Sequence, residues 1–169
     1  FTGGHPAINA VVSFDRKSLT LTQRPRMLSP RSHHNSVYTG GYLYAIGGYY
    51  GSASIALCER FSIANNKWEA IPPLPLDIRY HSAIVQESTQ SLYVLGGYSS
   101  SAGGYTDALQ EMCLRTLSWK KLSFTLPSKS PPTYYIPSFK SKADSEDVFF
   151  VYDSKLYSWN LTSAPRLIK

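Results

Sequence analysis

Two Arg-x-His tripeptides are the first places in this sequence where reactive side chains lie close together. Arg31 and His33 form one, and Arg79 and His81 form the other, 48 residues further along (79 − 31). An imidazole can bind a metal or move a proton, and a guanidinium can hold an anion. Because buried polar groups need partners, we expect these side chains instead to hydrogen-bond backbone groups between neighbouring structural units.

The sequence contains no other signature of catalysis or metal binding. It lacks a Gly-x-Ser-x-Gly elbow, a phosphate-binding glycine loop followed by Lys and Ser or Thr, and a His-Glu-x-x-His segment. His33 and His34 are adjacent, but no further ligand follows at a spacing typical of zinc sites. The interpretation is a protein that is not an enzyme and has no cofactor and no metal.

The charge and the cysteines indicate the environment and the kind of partner. There are 17 Lys and Arg against 11 Asp and Glu, giving a net charge of +6, and the positive residues are scattered in twos and threes. This excess favours an acidic partner over a basic one, and nucleic acid is an alternative partner. Cys58 and Cys113 fall in predicted strands, and we interpret both as buried thiols in a reducing, cytoplasmic compartment. No signal peptide is visible and no apolar run is long enough to insert into a membrane.

An apolar run that ends in a glycine pair organises the chain around these residues. It occurs as residues 42–48 and again as residues 91–97, and a further pair, Gly3 and Gly4, stands near the start. The intervals between the pairs are 44 residues (47 − 3) and 49 residues (96 − 47). Trp68 follows the second pair and Trp119 follows the third. A period in this range is typical of repeat proteins.

The order Arg, His, Gly-Gly, Trp, repeated at nearly constant spacing, resembles the Kelch repeat. The resemblance implies that each unit is a four-stranded antiparallel blade of a β-propeller. The composition agrees with an all-β fold, because 13 tyrosines and an aromatic content of 14% suit strands. Trp68 and Trp119, on the predicted outer strands, are expected to fill the gaps between neighbouring blades.

The repeat landmarks divide the chain into four units. Residues 1–30 are predicted to be the second half of a blade, 31–76 and 77–128 two full blades, and 129–169 a degenerate blade without a glycine pair. Its charged insert, residues 140–147, is expected to be a mobile loop. Propellers have between about four and eight blades, and an open arc exposes sheet edges. We therefore expect the chain to be part of a longer protein, or another segment to complete the ring.

Binding is the function that remains. In a four-stranded meander the loop between strands two and three shares a face with the connections between blades. Tyr, Ser and Gly with a few Arg are typical of adaptable recognition surfaces, although Ser-rich and Gly-rich loops can also be simple flexible connectors. The predicted partner-binding residues on this face are Tyr49, Tyr50, Ser52, Tyr98, Ser100, Tyr105, Arg26, Asp77 and Arg79.

The family resemblance implies the same function. Kelch propellers mostly bind other proteins, as substrate receptors of ubiquitin ligases, as actin-associated scaffolds or as parts of larger complexes. The prediction is a protein-interaction scaffold or adaptor. A Kelch-type enzyme whose site lies in blades outside this chain, and a basic surface that binds nucleic acid, are the alternatives.

Overall fold

Every regular element of the computed structural model is a β-strand. The model describes residues 1–123, 125–126, 138–140, 147–152, 155–160 and 164–168. In chain order the strands are β1 (Val11–Asp15), β2 (Thr20–Arg24), β3 (Asn35–Thr39), β4 (Tyr42–Ile46), β5 (Tyr49–Tyr50), β6 (Ala53–Ser54), β7 (Cys58–Ser62), β8 (Lys67–Ile71), β9 (Ser82–Gln86), β10 (Ser91–Leu95), β11 (Tyr98–Ser99), β12 (Gly104–Tyr105), β13 (Leu109–Cys113), β14 (Ser118–Lys121), β15 (Ser138–Lys140), β16 (Val148–Tyr152), β17 (Lys155–Trp159) and β18 (Arg166–Leu167).

The strands form the blades that the repeat pattern predicts. Among the described residues there are three four-stranded antiparallel sheets, with the orders β3-β4-β7-β8, β9-β10-β13-β14 and β15-β16-β17-β18, and three two-stranded sheets, β1-β2, β5-β6 and β11-β12. The all-β, blade-like prediction is therefore confirmed, and these sheets do not close a ring. The exact boundaries of the four predicted units stay a prediction. Most of the charged insert, residues 141–146, lies outside the described residues.

The predicted tight turns have the backbone geometry that their residues favour. Gly40 and Gly41, between β3 and β4, have φ values of 57° and 82°. Asn66, between β7 and β8, has a φ of 50°. Positive φ is easy for glycine and tolerated by asparagine, so these residues close hairpins that most side chains would strain.

At the entry to the two full blades, the structural alignment of the repeats differs by one residue from the alignment that the sequence predicts. Ser32 makes a single-residue bridge to Tyr49, and Arg79 makes the same bridge to Tyr98. The position equivalent to Arg79 in the preceding blade is therefore Ser32. The alignment of the two Arg-x-His tripeptides with each other was wrong. The reason is that backbone pairing fixes equivalence, whereas the repeated arginine is a coincidence of spacing.

Tryptophan side chains join each blade to the one before it, as predicted. Trp68 is buried among Val11, Met27 and Phe61, and its indole N–H donates to the carbonyl of Pro25 at 2.9 Å. The Trp119 indole donates to the carbonyl of the preceding blade's Pro72, also at 2.9 Å. Each ring therefore covers apolar surface and binds one backbone carbonyl at the same junction.

The two cysteines differ more than the sequence suggested. Cys58 opens β7 and is buried, and burial raises the pKa of its thiol to about 11. Cys113 ends β13, opposite Ser91 and Ser118, and is only partly buried, so the prediction of two buried thiols was wrong for Cys113. Strand alternation explains the difference, because the neighbouring Met112 takes the inward position and is fully buried.

The loop face as a candidate binding site

Two short hairpins follow the glycine pairs at the same end of the two full blades. We call this surface the loop face and define it by hairpin residues 49–54 and 98–105 together with connection residues 76–80. The glycine pairs direct the chain into these hairpins. Gly48 and Gly97, the second glycine of each pair, have φ values of 113° and 101°. These conformations place the backbone against the next connection, where the Gly48 N–H donates to the carbonyl of Ile78 at 2.8 Å.

The two hairpins are joined to each other across the blades. The Ser54 hydroxyl donates to the carbonyl of Tyr98 at 3.0 Å, and the Ser54 N–H donates to the Ser100 hydroxyl at 2.8 Å. Strand pairs β5–β6 and β11–β12 hold each hairpin internally. The loops are therefore built as one hydrogen-bonded surface.

Asp77 anchors the second hairpin to the connection. Its carboxylate accepts hydrogen bonds from the Ser99 hydroxyl at 3.0 Å, the Ser100 N–H at 2.8 Å, and the N–H and hydroxyl of Ser101. Burial raises the pKa of Asp77, but these bonds outweigh burial, so the pKa lies below its usual range. Asp77 is thus an ionised carboxylate whose oxygens are already occupied by the loop.

Arg79 lies within a cluster of three tyrosines, Tyr49, Tyr80 and Tyr98, which we call the tyrosine cluster. Its guanidinium carbon is 4.7 Å from the ring centre of Tyr49, 4.4 Å from that of Tyr98 and 5.6 Å from that of Tyr80. These distances are in the range of cation–π contacts. The Nε and Nη1 atoms of Arg79 are buried and have no hydrogen-bond partner.

The remaining predicted residues divide into two groups. Tyr50 is 51% exposed, Ser52 is exposed, and Tyr105 packs edge-on against Tyr98 with 5.3 Å between ring centres. These three lie on the loop face. Arg26 lies on the earlier connection, where its guanidinium donates to the Asn9 side chain at 3.1 Å.

Tyr80 of the loop face and the neighbouring His33 were not among the predicted binding residues. Tyr80 faces Arg79, and the His33 ring lies 4.5 Å from the Tyr80 ring. In the sequence, His33 was matched with His81, so the correspondence of His33 with Tyr80 was not seen. His33 has a φ of 52° and Tyr80 a φ of 57°, which marks them as equivalent positions. Aligning His34 with His81 would have revealed the pair.

A buried ion pair positions the connection that enters the second blade. The Arg31 guanidinium donates to the carbonyls of Gly47 at 2.7 Å and Leu57 at 2.8 Å, and to the Glu59 carboxylate at 2.6 Å. Arg31 is 0% and Glu59 2% exposed. Glu59 also accepts from the N–H of Leu28 at 2.6 Å, which fixes the incoming chain.

In the next blade, uncharged residues hold the incoming connection. Gln110 accepts from the N–H of Leu76 at 2.9 Å, as Glu59 does from the earlier connection. The fully buried Ile78 takes the place of Arg31, one residue before the bridge to the hairpin. A charged pair in one blade and two neutral residues in the next therefore occupy equivalent positions.

The predicted task of the Arg-x-His residues is thus mostly wrong. Arg31 does bond to backbone carbonyls, but within its own blade. Arg79 and His81 contain buried nitrogens that have no partner, and the His33 ring packs against the rings of His5 and Tyr80. The prediction aligned the tripeptides by residue type and gave all four side chains one role. Backbone pairing shows that Arg31 and Arg79 occupy different positions in their blades.

His81 is a buried imidazole with no hydrogen-bond partner on either ring nitrogen, and it is 1% exposed. Burial, together with the nearby His34 and Arg31, lowers its pKa to about 3. The unfolded chain takes up a proton at His81 below pH 6.5, whereas the folded protein does so only near pH 3. Stability is therefore lost as pH falls through this window, by about 2 kcal/mol between pH 6.5 and 5.0.

We expect His81→Leu to remove this part of the pH dependence. Urea unfolding at pH 7.5 and pH 5.0 measures it: the loss of unfolding free energy on acidification should be about 2 kcal/mol smaller in the variant than in the wild type. His5→Leu, at an exposed position, is the matched control and should leave the loss unchanged. Equal losses in wild type and His81→Leu would contradict the assignment.

The described ranges contain neither a metal-binding cluster nor a helix that could span a membrane. Within those ranges, no group of three or more His, Cys, Asp or Glu could hold a metal ion. No helix there has the length and apolar character needed to cross a membrane.

Sheets of four antiparallel strands that pack side by side, with glycine-pair turns and inter-blade tryptophans, are the blades of a β-propeller. Comparison with known proteins agrees: the model of the Kelch motif matches residues 30–75. The chain is 34% identical over 109 residues to Kelch-like protein 35 of Mus musculus, covering 64% of this chain and 18% of that protein. It is 32% identical over 112 residues to Kelch domain-containing protein 8B of Homo sapiens, covering 64% and 30%.

A third relative, Kelch-like protein 15 of Homo sapiens, is 29% identical over 100 residues, covering 59% of this chain and 16% of that protein. These matches confirm the resemblance to Kelch-repeat proteins. It spans less than a third of the length of each of these curated relatives.

Proposed function

We propose that the chain is a non-catalytic protein-interaction module that binds a partner protein through the loop face. The observation that carries the proposal is the Ser54–Ser100 connection, which makes two tyrosine-bearing hairpins into one surface. Tyr50 stands exposed at its edge, and the Tyr98 and Tyr105 rings are held in a fixed edge-on pair. The family resemblance supports the same role for a scaffold or adaptor.

Pre-ordering is what makes this surface suited to binding. Ordering a flexible loop at an interface costs free energy, about 0.5–1.5 kcal/mol for each immobilised side chain. Here Asp77 and the serine hydroxyls already fix the hairpins, so a partner does not have to pay that cost. Tyrosine adds contact area with few rotatable bonds.

A cytoplasmic location is part of the proposal. Cys58 and Cys113 are free thiols, as a reducing compartment would leave them. A partner within a larger protein complex fits this location and the absence of any described side chain assigned to catalysis.

The test compares two exposed tyrosines at opposite ends of the same blade. Tyr50 lies on the loop face and is 51% exposed, whereas Tyr38 lies near the far turn and is 63% exposed. A partner is captured with the full-length protein, identified and purified, and its affinity is measured for wild type, Tyr50→Ala and Tyr38→Ala. Tyr50→Ala should weaken binding at least about tenfold, and Tyr38→Ala less than about twofold.

Equal affinities for wild type and Tyr50→Ala, with a loss for Tyr38→Ala, would move the site to the opposite face and contradict the proposal. A partner that is a nucleic acid would contradict it as well. Circular dichroism of each variant, matching that of the wild type, ensures that a loss of affinity reflects a lost contact.

A further inference from the structure

His34 and His81 occupy the same position in the two full blades. Each ring lies over the first glycine of the pair in the blade before it. A Cβ on Gly3 would stand 2.7 Å from Cε1 of His34, and a Cβ on Gly47 would stand 3.2 Å from Cε1 of His81. Each imidazole therefore lies at the junction between its own blade and the preceding one. We call the His34 contact the first junction and the His81 contact the second junction.

At the first junction the imidazole has a hydroxyl partner. Nε2 of His34 is 2.9 Å from the hydroxyl oxygen of Thr2, a hydrogen-bonding distance. The Thr2 hydroxyl is in turn 2.9 Å from the hydroxyl oxygen of Ser36. A short polar chain therefore satisfies one nitrogen of this ring.

At the second junction both hydroxyls are replaced by apolar side chains. Ile46 takes the place of Thr2, directly before the glycine pair, and Ala83 takes the place of Ser36, two residues after the histidine. Ile46 is fully buried, and neither ring nitrogen of His81 has a hydrogen-bond partner among the described residues. A neutral imidazole has one donor and one acceptor, and burying both without partners costs free energy. The second junction is therefore closed at a cost that the first does not carry.

The groups around His81 also oppose a proton on its ring. Burial, together with His34 and Arg31 of the preceding blade, lowers the pKa of His81 to about 3. The carboxylate of Glu59 is already paired with Arg31 at 2.6 Å. The Asn35 amide lies 3.5 Å from the carbonyl oxygen of His81 and donates to it, not to the ring. The closed junction therefore holds the imidazole neutral.

We propose that the second junction is a pH-sensitive switch: acidification opens the contact between the two full blades while each blade keeps its own four-stranded sheet. In the open junction the His81 ring is hydrated and takes up a proton below about pH 6.5. The protonated ring cannot return to the apolar site without losing its hydration, so the open form accumulates. The loop face spans this junction through the bonds from Ser54 to Tyr98 and Ser100, so opening separates its two hairpins.

The size of the effect follows from the two protonation states of His81. The open form binds a proton with a pKa of about 6.5, whereas in the closed form the pKa is lowered to about 3. The closed form therefore gains stability relative to the open one above pH 6.5 and loses it as pH falls. The equilibrium constant for opening should rise about 30-fold between pH 7.5 and pH 5.0.

Cys58 is a probe already placed inside the second junction. It is 4% exposed and belongs to the buried cluster that contains Ile46 and Ile78 together with Leu92 and Val94 of the next blade. The full-length protein is treated with 4,4′-dithiodipyridine, and mass spectrometry of the Cys58 peptide follows labelling at this residue. Dividing the rate by that of the urea-unfolded protein at the same pH removes the pH dependence of the thiol reaction and yields the opening constant.

The normalised labelling rate should rise about 30-fold between pH 7.5 and pH 5.0 in the wild type. In His81→Leu it should change less than about threefold, because the titrating group is gone. His5→Leu, at an exposed position, is the matched control and should behave as the wild type. Urea at low concentration should leave the labelling at pH 5.0 unchanged, because a local opening exposes little new surface.

Two results would overturn the inference. A normalised rate in the wild type that does not change with pH would do so without any variant. A urea dependence as steep as that of global unfolding would do so as well, because His81 would then gain its proton only when the whole protein unfolds. That second result would leave the effect of His81 on global stability intact, and neither result bears on which partner the loop face binds.

Discussion

Arg31→Ile is expected to lower the free energy of unfolding by about 3–5 kcal/mol. Glu59 is only 2% exposed, and the substitution removes the positive charge that its buried carboxylate pairs with. The carbonyls of Gly47 and Leu57 also lose their hydrogen-bond donor. Urea unfolding at pH 7.5 measures the loss. Arg60→Met is the matched control, because its pair with Glu69 lies at the surface and should contribute less than about 1 kcal/mol.

The next blade supplies the compensating change. Combining Arg31→Ile with Glu59→Gln introduces the two neutral residue types that Ile78 and Gln110 supply at the equivalent positions. The double variant should be at least about 2 kcal/mol more stable than the sum of the two single losses predicts. If the losses simply add, the two blades do not use interchangeable solutions and the equivalence proposed for them is wrong.

Gly97→Ala is expected to have a comparably large effect. An added Cβ would lie 2.5 Å from the carbonyl oxygen of Arg79 and 2.9 Å from an Ile78 methylene, at a φ of 101°. Left-handed backbone strain costs about 1–2 kcal/mol for a residue with a Cβ. Forcing atoms into a packed site costs about another 1–3 kcal/mol. Thermal or urea unfolding should show a loss of about 3 kcal/mol.

Two other glycines of the same hairpin separate these causes. A Cβ on Gly103 meets nothing within 4 Å, but its φ is 70°, so Gly103→Ala reports strain alone. Gly104 has neither positive φ nor a neighbour within 4 Å, so Gly104→Ala should be near neutral. A Gly97→Ala loss no larger than that of Gly103→Ala would show that close approach to the connection is unimportant.

The strands and turns could be predicted because their causes are local. Apolar runs such as Tyr42–Ile46 need a sheet to bury them, and the Gly40–Gly41 and Asn66 turns follow from the φ values those residues tolerate. The inter-blade role of Trp68 followed from its size and its place on the outer strand. The position of the loop face followed from strand direction alone.

The register of the repeats and the cluster around Arg79 depend on non-local pairing. Arg31 and Arg79 look equivalent in sequence, but bridges to Tyr49 and Tyr98 assign Arg79 to the place of Ser32. The second full blade has neutral residues where the first has the Arg31–Glu59 pair. Arg31 and Glu59 are 28 residues apart in the sequence, so no local pattern reveals their pairing. Tyr80 was missed for the same reason.

Amide hydrogen exchange of the full-length protein, free and bound to its purified partner, tests the central claim most directly. The account predicts that binding slows exchange in residues 49–54 and 98–105, on the loop face. Turns at residues 40–41 and 87–90, at the other end of the same sheets, should exchange at unchanged rates. Protection of those turns, with none in the two hairpins, would contradict the account.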